Sequence, residues 1–414
     1  MDTPERKLVF APFGADMFGD DLLLFEHGIL FALETVVEYA GGFAYADIHA
    51  QAGGADKKDA PMPPLTEPEL RTLATRAGCD AFIDGMLSSE RSRDTAALTG
   101  VTVALRLFFP PQGRFDAPEA LTFSAFDPAG RPDKLTLDYD LYIALQYRLC
   151  ERLLYALGVN VPPGFTTEAL QITPSWEAYL NFLKGKRLAS SPETKLGYYN
   201  QAAQHDPKFF LALYNSAMLY KTQTDYQTAR SRLSRAASAT NDPTLLADVY
   251  FELGLCSIYL GDPKTARNFW EQALEFGADN PTLYVNMAGT YEQEENLADA
   301  IRLNELALDR FPEYHKAIVN LGRLYAMRGN LDKAIPLYQR AVEMQPDDAL
   351  RHSVLGGCLL AAGQDDEARL HFARAMELDP EGDPGRYARQ EWEKLGPPAD
   401  KSDPEPRKKR WGLW

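Results

Sequence analysis

The sequence predicts an α+β protein that is mostly α, in which a small α/β sandwich domain precedes an all-α superhelical solenoid. Three observations favour this class. The second half of the chain repeats with a fixed period, residues 1–160 mix strand and helix patterns without repetition, and 45% of the 414 residues are hydrophobic. A period of about 20 to 50 residues is typical of stacked repeats, in which each unit is one supersecondary element.

The period is 34 residues, and small side chains mark it most clearly. One column contains Ala266, Ala300, Ala334 and Ala368, and a second contains Ala273, Ala307, Ala341 and Ala375. Between them stand Trp270, Asn304, Tyr338 and Phe372, and Gly or Ala recurs at 254, 288, 322 and 356. Two helices of about a dozen residues and a short turn fill such a period. We expect the alanines where paired helices cross closely.

This pattern resembles the tetratricopeptide repeat family. The resemblance covers residues 176–382 and implies six repeats, the first of them degenerate. Three units reach a proline near the end of the second helix, at Pro312, Pro346 and Pro380, because proline cannot continue a helix. Residues 161–175 are predicted to form a linker, and residues 383–396 a capping helix that is amphipathic through Tyr387, Trp392 and Leu395.

Residues 1–160 alternate strand and helix patterns. Strands are expected at 7–13, 43–48, 81–87, 101–109 and 120–126, and helices at 20–39, 66–78 and 138–157, where Thr66 and Glu69 form a capping box. This order, with the phrases at 8–13, 77–85 and 155–158 and the junction at 177–185, resembles the TolB amino-terminal-like domain. The chain departs from that family because no signal sequence opens it, so we do not expect a periplasmic role.

Composition favours a soluble, globular, intracellular protein, and we expect it to be cytoplasmic, bacterial and without enzymatic activity. The net charge of −16 argues against a nucleic-acid partner, which would need a basic patch. The four cysteines, Cys79, Cys150, Cys256 and Cys358, are widely spaced and are typical of a reducing compartment. The histidines have no metal-ligand spacing, and no phosphate-binding or nucleophile motif occurs. We therefore expect no metal and no cofactor.

The family resemblance implies a binding groove lined by the first helix of each repeat. It places Asn215, Asn286 and Asn320 at the same position of three repeats. An amide there could donate to and accept from an extended peptide backbone without reading its sequence. The alternative is that these asparagines bind neighbouring helix backbone or water, and Glu252 and Val354 interrupt the column.

Two further groups belong to the predicted groove. Lys316 and Arg323 lie on one face of one helix and could pair with a carboxylate-bearing ligand. Phe251, Leu255 and Tyr259 form an apolar stretch, for which packing of the superhelix is the alternative. The carboxyl-terminal clamp of chaperone-binding relatives is not reproduced, so a co-chaperone is not favoured.

The carboxyl-terminal tail, residues 397–414, is predicted to be disordered because it is polar and rich in proline. It ends in a basic and aromatic motif made of Arg407, Lys408, Lys409, Arg410, Trp411 and Trp414. Three interpretations stay open: a docking motif for a partner, contact with an anionic membrane surface, or folding back onto the groove of the protein itself.

The sequence thus predicts an adaptor that binds a peptide or protein partner in its groove. The first alternative is a membrane-surface-associated assembly or chaperone-like factor that is recruited through its tail. The second is an accessory subunit of an enzyme complex. The sequence leaves the oligomeric state open.

Overall fold

The computed structural model describes residues 6–10, 14–15, 20–40, 43–47, 66–91, 98–116, 121–124, 139–163, 165–167 and 172–396. The chain divides into two compact units, Met1–Thr240 and Asn241–Trp414. In the described parts of the chain, no helix combines the length and the apolarity that crossing a membrane requires.

Unit 1 begins with a mixed sheet. Its described strands are β1 (Arg6–Phe10), β2 (Gly14–Ala15), β3 (Phe43–Asp47), β4 (Ala81–Arg91), β5 (Leu98–Phe109), β6 (Arg114–Asp116) and β7 (Leu121–Ser124). The strand order is β3-β1-β4-β5-β6, with β2 beside β4 and β7 beside β5. The amino-terminal strands pair in parallel, and β4 and β5 form a long antiparallel hairpin. The sequence did not predict the short strands β2 and β6.

Among the residues described in this region, three helices accompany the sheet: α1 (Asp20–Ala40), α2 (Glu67–Ala77) and α3 (Tyr139–Ala156). The capping box that starts α2 is confirmed, because the Glu69 carboxylate accepts from the backbone N–H of Thr66 at 2.7 Å and from its hydroxyl at 2.6 Å. This helix ends at Gly78, whose φ of 58° lies in the left-handed region that favours glycine. All three helices that the sequence predicts for this region are present.

The helices of the sheet region share a core with the first helical hairpin. Here α4 (Trp176–Leu183) leads into one π-helical turn (Lys184–Leu188) and then into α5 (Pro192–His205). Tyr142 of α3 packs edge-on against Trp176, with ring centroids 5.5 Å apart, and Phe31 of α1 packs against Phe182 at 5.9 Å. The structure does not test the predicted domain bounds, but it places residues of the sheet region and α4 in one continuous core.

Unit 1 closes with a second hairpin, α6 (Phe210–Thr222) and α7 (Tyr226–Ala237). The periodic residues Ala229, Leu233 and Ala236 of α7 are fully buried. Arg235, directly before Ala236, donates at 3.3 Å to the carbonyl of Pro207, which lies in the connection between α5 and α6. Unit 1 therefore already shows the packing that recurs in unit 2.

The described part of unit 2, residues 241–396, consists of four hairpins and a final helix. They are α8 (Pro243–Tyr259) with α9 (Pro263–Glu275), α10 (Pro281–Gln293) with α11 (Leu297–Arg310), α12 (His315–Met327) with α13 (Leu331–Met344), α14 (Ala349–Ala361) with α15 (Asp365–Leu378), and α16 (Asp383–Leu395). Both alanine columns are fully buried, as the close crossing of paired helices requires. Helices stacked in this way form a solenoid, and the predicted fold class is confirmed.

The turn between the two helices of each hairpin requires a left-handed residue. In unit 2 this position is occupied by Gly261, Glu295, Gly329 and Gly363, with φ between 58° and 77°. Three of the four are glycines, which adopt this conformation without steric cost. Glu295 is the exception in unit 2, and Thr224, with φ of 62°, is its counterpart in unit 1.

Candidate peptide-binding face

The first helices of the hairpins each have one buried side and one accessible side. On α12 the buried side carries Leu321 and Tyr325. Residues spaced three or four apart lie on one face of a helix, so Lys316, Asn320 and Arg323 share the opposite side. We call the surface formed by these accessible positions of unit 2 the first-helix face. Its members are Phe251, Leu255, Tyr259, Asn286, Gly289, Lys316, Asn320 and Arg323.

An ion pair aligns this face across two neighbouring hairpins. The Arg323 guanidinium of α12 contacts the Glu292 carboxylate of α10. Glu292 follows Gly289 by one turn, and Arg323 follows Asn320 by one turn. The accessible sides of α10 and α12 therefore lie side by side. This contact also occupies Arg323, one of the two cations that the sequence proposed for a ligand carboxylate.

The asparagines of the predicted ladder differ in their surroundings. Asn286 and Asn320 are partly buried on α10 and α12, and no described residue forms a hydrogen bond with either amide. Asn215 lies in unit 1, where its amide donates to the Leu211 carbonyl of its own helix at 2.8 Å. That contact fits the alternative interpretation for Asn215. The ladder itself stays a prediction.

Lys316 provides the accessible positive charge of the face. Its side chain is exposed on the first turn of α12, and no described carboxylate lies within ion-pair distance of it. Because Arg323 is paired and Lys316 is not, a ligand carboxylate would meet Lys316 first.

The predicted apolar stretch on α8 is divided between packing and exposure. Phe251 and Leu255 are partly buried and pack against the core of unit 2, which fits the packing alternative. The Phe251 carbonyl also accepts from the Trp270 indole at 3.1 Å. Tyr259 is 61% exposed at the end of the helix. Only Tyr259 is therefore exposed enough for its side chain to offer a large contact surface.

Sequence reasoning missed Gly289, a member of the first-helix face, and Glu292, which pairs with its Arg323. Gly289 is adjacent to the periodic small-residue column at 254, 288, 322 and 356, and the sequence pattern does not distinguish it from that column. Glu292 was missed because it pairs with a residue 31 positions away. Its spacing of nearly one period from Arg323 is the signal that could have found it.

Two further expectations concern metal ions and the carboxyl-terminal tail. Among the described residues, no group of three or more His, Cys, Asp or Glu side chains is placed to hold a metal ion. All four cysteines are free and buried. The basic and aromatic tail motif lies outside the described residues, so its role stays a prediction.

Unit 1 contains a recess that the sequence did not indicate. Its volume is about 670 Å³, and its lining includes Asp80, Phe109, Arg114, Asp116 and Tyr155. Arg114 pairs with Asp116 at 3.1 Å and lies over the Phe109 ring, 4.2 Å from its centroid. The charged side chains Arg114 and Asp116 at this recess therefore already interact with residues of unit 1.

The sequence model of the tetratricopeptide repeat family matches residues 279–347 and 313–381. These residues are tetratricopeptide repeats and form part of the helical solenoid of unit 2. The resemblance of the amino-terminal region to TolB is not confirmed, although a mixed sheet is present there.

Several solved structures are similar in fold. YrrB, described as a TPR protein with an unusual peptide-binding site, is 18% identical, with 46% of this chain and 97% of that chain covered and a TM-score of 0.40. BtubC from P. vanneervenii is 22% identical, with 56% and 98% covered and a TM-score of 0.39. MamA from Desulfovibrio magneticus is 22% identical, with 42% and 97% covered and a TM-score of 0.37.

One curated relative is the human Protein O-mannosyl-transferase TMTC3, which is 26% identical over 121 residues. The match covers 29% of this chain and 13% of that protein. This chain therefore corresponds to only a small part of that relative, whose activity is not carried over.

Proposed function

We propose that the chain is an adaptor whose first-helix face binds an extended peptide segment of a protein partner. The observation that carries this proposal is the pair Asn286 and Asn320. Both amides are partly buried on adjacent helices, both occupy the same repeat position, and neither has a described hydrogen-bond partner. An amide offers donors and an acceptor, which suit the N–H and C=O groups of a peptide main chain.

The charge of the face specifies the ligand further. Lys316 is exposed on the helix that carries Asn320, one turn before it. We infer that the bound segment places an acidic side chain at Lys316 while its main chain meets the two asparagines. A peptide of this kind differs from a sequence-specific ligand because most of its contacts are made by main-chain groups.

The proposal is tested with a phage-displayed pool of random 12-residue peptides and the full-length chain. We expect the wild type to enrich peptides with an aspartate or glutamate at a fixed place. The Asn286→Ala/Asn320→Ala variant should bind the best peptide about 10- to 100-fold more weakly, because each hydrogen bond contributes about 1 kcal/mol. Asn268→Ala is the matched control, since Asn268 is exposed on the second helix α9.

Two results would overturn the proposal. One is the absence of any enriched peptide with the wild-type chain. The other is an unchanged affinity of the double variant. A Lys316→Glu variant adds a test of charge, because it should shift enrichment from acidic to basic peptides. Binding of the wild type should weaken as salt concentration rises.

The tail supports a second proposal, membrane-surface association. Four consecutive cations and two tryptophans end a chain whose net charge is −16. Basic residues contribute about 1 kcal/mol each at an anionic surface, and tryptophan favours the interface. Flotation with phosphatidylserine vesicles should recover the full chain but not a chain lacking residues 407–414. Equal recovery of both would remove the anchor.

The other expectations stay predictions. The cytoplasmic setting, the absence of enzymatic activity and of cofactors, and the alternative of an accessory subunit were inferred from the sequence. The four buried free thiols are compatible with a reducing compartment.

A further inference from the structure

The position that Gly289 occupies on α10 is not occupied by the same residue type in every hairpin of unit 2. The equivalents are Leu255 on α8, Arg323 on α12 and Gly357 on α14. Leu255 packs against the core, and Arg323 pairs with Glu292. Each of these two side chains therefore has a structural role in the chain itself.

Gly357 shows what a glycine at this position allows. A Cβ atom there would lie 3.1 Å from the hydroxyl oxygen of Tyr387, a residue of the final helix α16. The Ser353 hydroxyl, one turn earlier, donates to the Pro384 carbonyl of α16 at 3.1 Å. The missing side chain thus permits a neighbouring segment to pack closely on α14.

Gly289 leaves the same space where a side chain would be, and no described residue occupies that space. No described atom lies within 4 Å of the place a Cβ would take, apart from the adjoining backbone. The residue lies inside α10 with an ordinary helical backbone, so no turn or left-handed conformation requires glycine. A glycine inside a helix is less stable there than alanine. The contacts among the described residues give no reason for it.

The position of Gly289 supplies a reason. It lies one turn after Asn286, and the ion pair from Glu292 to Arg323 brings Asn320 alongside on the next helix. A main-chain group must come within about 3 Å of an amide to form a hydrogen bond. A leucine or arginine at 289, as in the equivalent positions, would stand between such a peptide and the floor of the face.

We propose that Gly289 is the point at which the main chain of the bound acidic peptide approaches the protein most closely. This inference rests on the proposed function and adds a residue that determines which ligands fit. The close approach lets the two asparagine amides reach main-chain atoms of the ligand. Because Gly289 has no side chain, it leaves room for the peptide, just as Gly357 leaves room for α16.

The test compares Gly289→Ala and Gly289→Leu with Gly197→Ala and Gly197→Leu in the full-length chain. Gly197 is a matched control because it is an exposed glycine inside α5, also with no described atom near its missing Cβ. The probe is the best acidic 12-residue peptide enriched by the wild type, measured by fluorescence anisotropy. Each alanine variant should raise the thermal midpoint by about 2 °C.

We expect Gly289→Leu to weaken peptide binding at least tenfold and Gly289→Ala to weaken it by a smaller factor, with both Gly197 variants at the wild-type affinity. Gly289→Ala keeps the test valid if the leucine variant is unstable. Unchanged affinity in both Gly289 variants, with binding lost in Asn286→Ala/Asn320→Ala, would overturn this inference alone. No enriched peptide with the wild type would overturn the proposed function and this inference together.

Discussion

Trp270 lies so close to Gly254 that a Cβ atom on the glycine would be 2.5 Å from Cδ1 of the indole. The same relationship joins Gly356 to Phe372, at 2.7 Å, and Gly322 to Tyr338, at 3.3 Å. The remaining hairpin has Ala288 where the others have glycine and Asn304 where the others have an aromatic ring. In each hairpin of unit 2, the residue on the first helix is therefore smallest where the facing residue on the second helix is an aromatic ring.

The first prediction concerns the closest of these contacts. Gly254→Ala should destabilise the protein by about 2 kcal/mol, because the new methyl group overpacks the fully buried Trp270. Gly322→Ala should change stability by less than about 1 kcal/mol, since its longer distance lets the better helix propensity of alanine offset the crowding. Urea unfolding of both variants checks the order, and an equal loss would contradict it.

The second prediction is that Ala288 and Asn304 are energetically coupled. Asn304→Tyr alone should destabilise by about 2 kcal/mol, because the ring would meet the Ala288 methyl group. Adding Ala288→Gly should recover part of this loss, although glycine alone costs about 1 kcal/mol in a helix. A double-mutant cycle measured by urea unfolding gives the coupling, and additive effects would contradict the size matching.

The third prediction concerns the left-handed turn residue Glu295. Glu295→Gly should stabilise the protein by about 1 kcal/mol, since a left-handed conformation costs a residue with a Cβ about 1 to 2 kcal/mol. Gly329→Ala is the reverse control at the equivalent turn and should destabilise by a similar amount. Thermal unfolding measures both, and a destabilised Glu295→Gly variant would argue that the glutamate has a contact of its own.

The fourth prediction is a loss of stability in acid. The Nδ1 atoms of His352 and His371 lie 3.0 Å apart, and His352 Nε2 lies 3.0 Å from the Pro346 carbonyl. Burial, and then the neighbouring His352 ring, lower the pKa of His371, and burial followed by Arg351 lowers the pKa of His315. The unfolded chain therefore binds protons at a higher pH than the folded chain.

The contribution of these neutral histidines to the free energy of unfolding should be fully present above about pH 6.5, the pKa of histidine in the unfolded chain. It should be lost as the pH falls below that value. Thermal midpoints from pH 8 to pH 5 measure this slope. His371→Gln should reduce it, while His205→Gln, on an exposed residue of α5, should leave it unchanged. An identical slope in all three proteins would exclude the histidine pair as its cause.

The fifth prediction concerns the ion pair of Glu34 on α1 with Arg187 on the π-helical turn, which joins the sheet region to the first hairpin of unit 1. Both side chains are largely buried. Glu34→Ala should destabilise by about 3 kcal/mol, because it leaves the Arg187 charge without this carboxylate. Glu34→Met with Arg187→Met should lose less than the single variant. Urea unfolding decides, and a larger loss in the double variant would contradict this account.

Much of the fold could be predicted because the repeat imposes local rules. Small residues every 34 positions predicted the crossings of Ala266, Ala300, Ala334 and Ala368, and all four are fully buried. The capping box of Thr66 and Glu69 could be predicted from the sequence because the two residues are three positions apart. The candidate site was predicted less completely, since Asn286, Lys316 and Asn320 were placed by repeat position, whereas Gly289 was overlooked.

The sequence by itself determined most of the elements and the residues at each helix crossing, because these depend on spacings within one or two turns. It also determined the period, because the same residue types recur every 34 positions. Only the tertiary structure decided which polar groups are already used: Arg323 is paired with Glu292, Asn215 with its own helix, and Lys316 with no described residue. Such contacts join residues on different helices or depend on side-chain rotamers. Their distances are fixed by packing, and the order of residues along the chain does not encode them directly.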